Sequence, residues 1–324
     1  MMDVAEFKQL ADEIIDSISS VYIGNEAVVR KTLAAALVNG NVLFEDYPGL
    51  GKTLLAKAFG RVLGLKYTRV QFTPDLLPAD ILGTKVWRQN LGTFELIKGP
   101  IFTHVLLADE INRAPPKTQS ALLEAMEERQ VTIEGETFPL ERPFFVIATQ
   151  NPIEFEGTYP LPEAQLDRFL LRLRVGYPRS EEDELAILEA RLSWRKDDPT
   201  VDLRPVIDRE TFVRMQDLVE EGIFIGRDVV RYIVNLVRNA RADERVEAGP
   251  SPRGGISLMK VAKANALLDG RDFVLPDDVK AYAVDALAHR IVVKAEYSFE
   301  GVTGEEVVRE ALEKTPVPKG AEEE

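Results

Sequence analysis

Continuous apolar runs alternate with helix-patterned segments through the first 178 residues of the chain. The runs that predict buried strands are VLFE (42–45), YTRVQF (67–72), THVLLADE (103–110), FFVIATQNP (144–152) and FLLRLRVGYP (169–178). Segments 26–39, 53–64 and 116–129 instead carry apolar residues at helical spacing. Strands of this kind, separated by helices, favour a parallel sheet that is covered on both faces. The predicted fold class is therefore α/β.

Beyond Pro178 the pattern changes to helices alone. Ser180 and Asp183 stand at the spacing of a capping box, and a linker is predicted at 196–205. Further helices are predicted at 209–220, 226–242, 256–268 and 276–292. The sequence thus divides into a core at 1–178, a connecting helix and linker at 179–206, a smaller all-α domain at 207–295, and an acidic C-terminal tail at 296–324. We expect the end of this tail, PVPKGAEEE (316–324), to fray.

Composition restricts the chemistry that this chain can perform. The formal charge of −14, from 40 Lys and Arg against 54 Asp and Glu, gives no general attraction to nucleic acids or anionic membranes. Cysteine is absent and there are only two histidines, which excludes thiol chemistry and argues against a zinc site. No apolar run has the length of a signal peptide or a membrane span, so a cytoplasmic location is expected.

The segment EDYPGLGKT (45–53) nearly matches the phosphate-binding pattern GxxxxGK[ST] and lies between a predicted strand and a predicted helix. The loop residues that would bind phosphate through amides, ammonium and a magnesium-ligating hydroxyl are Gly49, Gly51, Lys52 and Thr53. Asp46 replaces the first glycine of the pattern. We expect it to brace the turn by accepting hydrogen bonds from amides two residues on, and to leave nucleotide binding intact. The alternative is a glycine turn that merely caps a helix.

Two adjacent carboxylates, Asp109 and Glu110, end the predicted strand at 103–110. A nucleotide hydrolase needs one carboxylate in the shell of the magnesium ion and a second to polarise the attacking water. The alternative is a solvated turn, and the GKT loop earlier in the chain makes the catalytic interpretation the stronger one.

Four longer motifs stand in order along the chain: YPGLGKT, LLADEINRAPPKTQSALLEAMEERQVTIEG, IATQNPIEFEGTYPLPEAQLDRF and SPRGG. With these motifs the chain resembles the MoxR family of AAA+ ATPases from IGNE (23–26) to about residue 292. The resemblance implies an AAA+ P-loop core with a five-stranded parallel sheet, a helical lid, and ATP and Mg²⁺ as cofactors.

The same resemblance implies roles for individual residues. The catalytic set would be Lys52, Glu110, Asn151 as the sensor of the terminal phosphate, and Arg168 as an arginine finger acting on a neighbouring subunit. The nucleotide would be held by Gly24, Pro48, Gly49, Leu50, Gly51, Lys52, Thr53, Leu54 and, as a second sensor in the lid, Arg253. The metal ligands would be Thr53 and Asp109. Alternatives remain open: a polar strand cap at Asn151, a salt bridge from Arg168 to Asp167, and a plain surface arginine at 253.

The resemblance further implies a homo-oligomeric ring, expected to be a hexamer, that remodels or matures protein clients with a separate von Willebrand factor A domain protein as a partner. The segments 87–99 and 130–140 resemble the family's inserted hairpins, and the alternative for each is a covered sheet edge. The second contains Glu134 and Glu136 and no lysine between residues 130 and 141, which argues against a DNA-translocating motor. A nucleic-acid motor and a non-hydrolytic nucleotide-gated scaffold remain as the alternative functions.

Overall fold

A computed structural model describes residues 2–47, 49–90, 92–152, 157–178 and 180–318 of the chain. The helices are α1 Val4–Ser19, α2 Glu26–Leu37, α3 Lys52–Val62, α4 Pro78–Leu82, α5 Pro116–Glu128, α6 Glu163–Leu166, α7 Glu181–Trp194, α8 Arg209–Gly222, α9 Arg227–Arg241, α10 Pro252–Leu268, α11 Pro276–Leu287, α12 Ala295–Phe299 and α13 Gly304–Lys314. The strands are β1 Val42–Glu45, β2 Tyr67–Gln71, β3 Gly83–Arg88, β4 Thr93–Lys98, β5 Val105–Asp109, β6 Gln130–Ile133, β7 Glu136–Pro139, β8 Phe145–Gln150, β9 Leu171–Leu173, β10 Val246–Ala248 and β11 Val292–Val293.

The central sheet has five strands in the order β2–β5–β8–β1–β9. Its neighbours pair in parallel, with Val42 opposite Ile147 and Val105 opposite Phe145. The continuous apolar runs are explained by this position, because β5 and β8 are buried along almost their whole length. The predicted five-stranded parallel sheet is thus confirmed. Its carboxyl edge gathers the ends of β1, β2, β5 and β8, which is where open α/β sheets bind ligands.

Two compact units account for the described residues. The first, called the sheet unit here, comprises Asp12–Leu161 and Leu173–Val213, and the second, called the lid unit, comprises Met1–Ala11, Pro162–Arg172 and Arg214–Glu324. A single cut after residue 178 does not describe this division, because 162–172 groups with the later helices. The strand predicted at 169–178 is shorter in the structure, Leu171–Leu173, and residues 174–178 lie in neither a helix nor a strand.

Helices α9, α10, α11 and α13 form the core of the lid unit, with Tyr232, Val261, Tyr282 and Val307 fully buried. The predicted all-α lid also contains one short antiparallel pair, β10 with β11. Helix α10 begins at Pro252 instead of residue 256. It starts earlier because the Ser251 hydroxyl accepts the Arg253 N–H (3.2 Å) while proline occupies the first turn, both of which favour a helix start.

The acidic C-terminal tail at 296–324 is folded through most of the residues that the structure describes. Helix α13 begins after a Thr303 cap and buries Val307, Val308 and Ala311. Arg245 bonds Glu310 on this helix (2.7 Å) and also Asp243. The apolar stripe and this charge pairing fix the segment despite its acidic composition. Of the stretch that was expected to fray, 316–324, residues 319–324 lie outside the described residues.

Several smaller differences from the sequence prediction concern element boundaries. Helix α1 was not predicted, and the first inserted hairpin begins at Gly83 instead of residue 87. The hairpin predicted at 130–140 is confirmed as β6 and β7. Ser180 caps α7 by accepting the Asp183 N–H (3.1 Å), as predicted. Among the described residues, no helix has both the length and the apolar character needed to cross a membrane.

Candidate nucleotide-binding site

The loop between β1 and α3 has the backbone geometry that a phosphate-binding turn needs. Gly49 and Gly51 have φ angles of 86° and 76°, which side chains other than hydrogen rarely permit. A Cβ at Gly51 would also lie 3.1 Å from the Tyr22 ring, whereas one at Gly49 would meet nothing within 4 Å. Both glycines precede the first turn of α3, where unpaired backbone amides favour an anion. Pro48, predicted to contact the nucleotide, lies outside the described residues.

The side chain of Lys52 lies back over this loop. Its Nζ donates to the carbonyl oxygens of Asp46 (2.8 Å) and Tyr47 (3.1 Å). Burial lowers the pKa of Lys52, and the nearby carboxylates of Asp46, Asp109 and Glu110 oppose that shift. The ammonium therefore lies at the loop and interacts electrostatically with Asp109, the predicted metal ligand, and with Glu110, the predicted catalytic acid.

Asp46 braces the loop in a way that the sequence did not predict. Its carboxylate is buried and accepts the backbone N–H groups of Val175 and of Gly176, the latter at 3.3 Å. The rings of Tyr47 and Tyr177 stack next to it, with centroids 6.0 Å apart. The expected bonds from amides two residues on are thus replaced by bonds to a segment about 130 positions later. Asp46 joins the loop after β1 to the loop after β9.

Asp109, at the end of β5, is held by both neighbouring strands. Its Oδ1 accepts the Thr149 hydroxyl from β8 (2.6 Å), and its Oδ2 accepts Arg69 Nη2 from β2 (2.7 Å). The carboxylate is therefore fixed in direction at the carboxyl edge of the sheet. A fixed, mostly buried carboxylate is suited to a place in a metal shell.

Glu110 follows in left-handed backbone conformation, with φ of 55°. Its N–H donates to the Thr149 hydroxyl (2.8 Å), and its Oε2 accepts Gln71 Nε2 (2.8 Å) and Arg113 Nη1 (3.0 Å). Because this left-handed conformation follows directly after β5, the Glu110 side chain does not continue the alternating directions of the strand. Its partners Gln71 and Arg113 then orient the carboxylate.

Two cavities border the loop. The polar one, of about 230 Å³, is lined by 49–53, Asp46, Asp109, Glu110 and Asn151, together with Arg69, Gln71 and Thr149. The apolar one, of about 200 Å³, is lined by Gly24 and Leu54, together with Tyr22, Tyr177, Ile187 and Trp194. Residues 49–51 border both cavities. An apolar pocket on one side of the glycine loop and a polar, lysine-containing pocket bordered by the same residues fit a purine base and its phosphates.

The structure brings together most of the predicted site residues. Those that line one or both cavities are Gly24, Gly49, Leu50, Gly51, Lys52, Thr53, Leu54, Asp109, Glu110 and Asn151. Sequence reasoning missed Arg69, Gln71 and Thr149, although Gln71 and Thr149 lie near the carboxyl ends of predicted strands and Arg69 lies two residues before Gln71. That position on the strand was the available signal.

The other two predicted residues, Arg168 and Arg253, belong to the lid unit. Arg253 Nη1 lies 3.4 Å from Asp167 Oδ2. Their predicted roles as an arginine finger and a second sensor stay predictions.

The donor set matches a magnesium ion that is shared with phosphate oxygens. Across the part of the chain that the structure describes, no cluster of three or more His, Cys, Asp or Glu side chains could bind a metal ion alone. Thr53 and Asp109 supply a hydroxyl and a carboxylate oxygen at one cavity. Magnesium commonly takes one or two protein oxygens and completes its shell with phosphates and water.

Comparison with known proteins gives the family. A model of the "ATPase family associated with various cellular activities (AAA)" matches residues 41–171, and an AAA lid domain model matches 238–311. The chain is 39% identical over 317 residues to Chaperone MoxR1 of Mycobacterium tuberculosis, covering 95% of this chain and 82% of that one. This chain belongs to the MoxR family of AAA+ ATPases.

Two other similar proteins match almost the whole chain. The uncharacterised protein YeaC of Bacillus subtilis is 47% identical over 309 residues, covering 95% of each chain. A crystal structure of a Cytophaga hutchinsonii protein superposes with a TM-score of 0.89 at 38% identity, covering 98% of this chain and 97% of that one. The lid model ends at residue 311, so the family domain includes most of α13, in agreement with its burial.

Proposed function

We propose that this protein binds and hydrolyses ATP with Mg²⁺ in a homo-oligomeric ring and uses the cycle to remodel or mature protein clients. The observation that carries the proposal is the cleft in the sheet unit, in which an apolar cavity and a polar cavity share the glycine loop. Lys52 and the pair Asp109 and Glu110 lie at the polar one. The name of the chaperone relative supports the client-directed part.

Binding would use the loop amides and Lys52. The triphosphate would replace the carbonyl oxygens of Asp46 and Tyr47 as partners of the Lys52 ammonium, because an anion attracts it more strongly than a neutral carbonyl. The base would occupy the apolar cavity beside Tyr22 and Trp194. Leu54 and Gly24 would border the same cavity.

Hydrolysis would use the fixed carboxylates. Thr53 and Asp109 would hold Mg²⁺, which when bound neutralises charge on the phosphates. Thr149 and Arg69 fix Asp109 for that task. Glu110, held by Gln71 and Arg113, would orient the attacking water and accept its proton at a carboxylate oxygen. Asn151 lines the same cavity and would position the water or the terminal phosphate.

The test is steady-state ATP turnover with nucleotide binding measured separately. Glu110→Gln should lower turnover by about 10²- to 10⁴-fold and retain ATP binding, because it removes the proton acceptor alone. Lys52→Ala should lose binding itself. Lys117, on the exposed first turn of α5, provides a charge-matched control for Lys52, and Lys117→Ala should behave as wild type. Wild-type turnover in Glu110→Gln would refute the proposed role.

The ring would bring Arg168 to the site of a neighbouring subunit. Arg168→Ala should then lower ATP turnover while leaving nucleotide binding unchanged. In the wild type, turnover per subunit should rise with protein concentration as rings assemble. Clients and a separate von Willebrand factor A domain partner would be sought by capture on the Glu110→Gln ring in ATP. A cytoplasmic location remains a prediction.

A further inference from the structure

A buried arginine anchors the segment that contains the proposed finger. Asp167 directly precedes Arg168, and its Oδ1 accepts Arg290 Nε at 2.6 Å. Its Oδ2 lies 3.4 Å from Arg253 Nη1. The Arg290 side chain is only 2% exposed, whereas the Arg253 side chain is 46% exposed. The ion pair of Asp167 with Arg290 is therefore the more buried of the two.

The guanidinium of Arg290 also holds the backbone on both sides of Arg168. Its Nη2 donates to the carbonyl oxygen of Asp167 (3.0 Å) and to that of Phe169 (2.8 Å). The same nitrogen lies 3.2 Å from the Ser257 hydroxyl on α10. One side chain therefore fixes the peptide groups before and after Arg168 and connects them to a lid helix.

The remaining nitrogen of Arg290, Nη1, has partners in its own helical segment and a longer contact to the Leu170 carbonyl oxygen (3.5 Å). This nitrogen donates to the Ala286 carbonyl and lies 2.9 Å from His289 Nε2. Burial lowers the pKa of His289 well below its ordinary value, so the ring is neutral and can accept this bond. Burial also lowers the pKa of Arg290, and Asp167 opposes that shift. Burying a guanidinium costs free energy unless its N–H donors are paired. Three of the hydrogen bonds of Arg290 go to Asp167 and Phe169, on both sides of Arg168.

We propose that Arg290 is a positioning residue for hydrolysis: through Asp167 and the flanking carbonyls it holds Arg168 in the orientation that reaches the neighbouring subunit. The proposal rests on the proposed function of Arg168. A rigid base matters because a misplacement of about 1 Å in a group that stabilises the transition state can cost about a hundredfold in rate.

The test uses Arg290→Lys, which keeps a positive charge but lacks the planar fork that bonds Asp167 and two carbonyls together. Turnover should fall by about tenfold to a hundredfold, with KM for ATP within about twofold of wild type. Arg271→Lys is the matched control, because Arg271 pairs with the buried Asp278 in the same lid unit and makes the same kind of bond. It should keep wild-type turnover.

Mixed rings separate a positioning role from a structural one. A subunit with a misplaced finger still has an intact pocket, whereas a Glu110→Gln subunit has an intact finger and an inactive pocket. Rings co-assembled from Arg290→Lys and Glu110→Gln subunits should therefore turn over ATP faster than rings of either parent alone. Arg168→Ala mixed with Glu110→Gln should gain turnover in the same way.

Asp167→Asn is the second variant, for use if Arg290→Lys does not fold, and it should give the same complementation. Wild-type turnover in a folded Arg290→Lys or Asp167→Asn ring, or a loss that mixing does not restore, would overturn the inference while leaving the proposed function intact. If Arg168→Ala itself keeps full turnover, the finger assignment fails, and the positioning role fails with it.

Discussion

Asp46 stands where the phosphate-binding pattern has its first glycine, and removing its carboxylate tests whether that side chain supports or opposes ATP binding. Asp46→Gly restores the standard residue, and charge repulsion alone would predict tighter ATP binding. The structure predicts the opposite. The carboxylate is 6% exposed and accepts the N–H groups of Val175 and Gly176, so its loss leaves two amide donors without their partner.

The magnitude follows from these bonds. A hydrogen bond to a charged group contributes about 1.5–3 kcal/mol net. Residues 175–178 line the apolar cavity. Without the Asp46 carboxylate this loop must be ordered when ATP binds, and the free energy of that ordering lowers the affinity for ATP. If the cost of one such bond appears in binding, ATP affinity falls by about 10- to 100-fold, since about 1.4 kcal/mol corresponds to tenfold. Asp46→Asn keeps the shape and one acceptor oxygen, so a smaller loss is expected.

The assay is equilibrium titration of each variant with ATP and with adenosine. Adenosine carries no phosphate and would occupy the same apolar cavity, so the loss of bracing should weaken both ligands by a similar factor. Repulsion between Asp46 and phosphate would affect ATP alone. The reasoning is refuted if Asp46→Gly binds ATP at least about tenfold more tightly while adenosine binding is unchanged.

Three further predictions follow from described contacts. Gln71→Leu should lower ATP turnover by about tenfold with little change in ATP affinity, because Glu110 loses a donor that orients it; single-turnover hydrolysis measures this, and unchanged rates would contradict it. Hydrogen bonds from Arg245 lower the pKa of Asp243 to about 2, below its value in the unfolded chain, so this pair stabilises the lid above about pH 4 and the benefit is lost as pH falls toward 2. The free energy of unfolding, measured with urea, should depend less on pH in Asp243→Asn than in the wild type over that window. An identical pH dependence in the two proteins would contradict the stabilising role of the pair. Truncation after Thr303 should unfold the lid, because it removes the buried Val307. Truncation after residue 318 is the control and should leave the thermal midpoint near that of the full chain. Circular dichroism distinguishes the two, and an equally folded shorter chain would show that α13 is dispensable.

The sheet and the main acidic pair could be predicted because their signals are local. A strand buried on both faces needs an uninterrupted apolar run, and β5 and β8 provide one each. Asp109 and Glu110 stand directly at the end of such a run. The glycine loop is equally local, since its φ angles, its lysine and its helix start all fall within a few residues.

The features that were not predicted depend on contacts between distant parts of the chain. Nothing in the sequence near Asp46 indicates that its partners are Val175 and Gly176, because that pairing arises only when β1 and β9 lie side by side. Thr149 has no local signal for its partner either, as its role follows from the register of β5 with β8. Helix α13 differs: its apolar residues 307, 308 and 311 were visible, but the acidic composition of the segment concealed them.

The two acids of the site differ in how firmly the fold holds them, and the difference suits their proposed tasks. Both carboxylate oxygens of Asp109 accept donors from flanking strands, and one donor, the Thr149 hydroxyl, is itself buried. Glu110 is held through one oxygen by Gln71 and by the exposed Arg113, at the start of a 3-10 turn. A metal ligand must keep its direction throughout a reaction, whereas a proton acceptor must adjust to a moving water. Placing the first acid in the sheet and the second just beyond its edge provides both properties from adjacent positions in the chain.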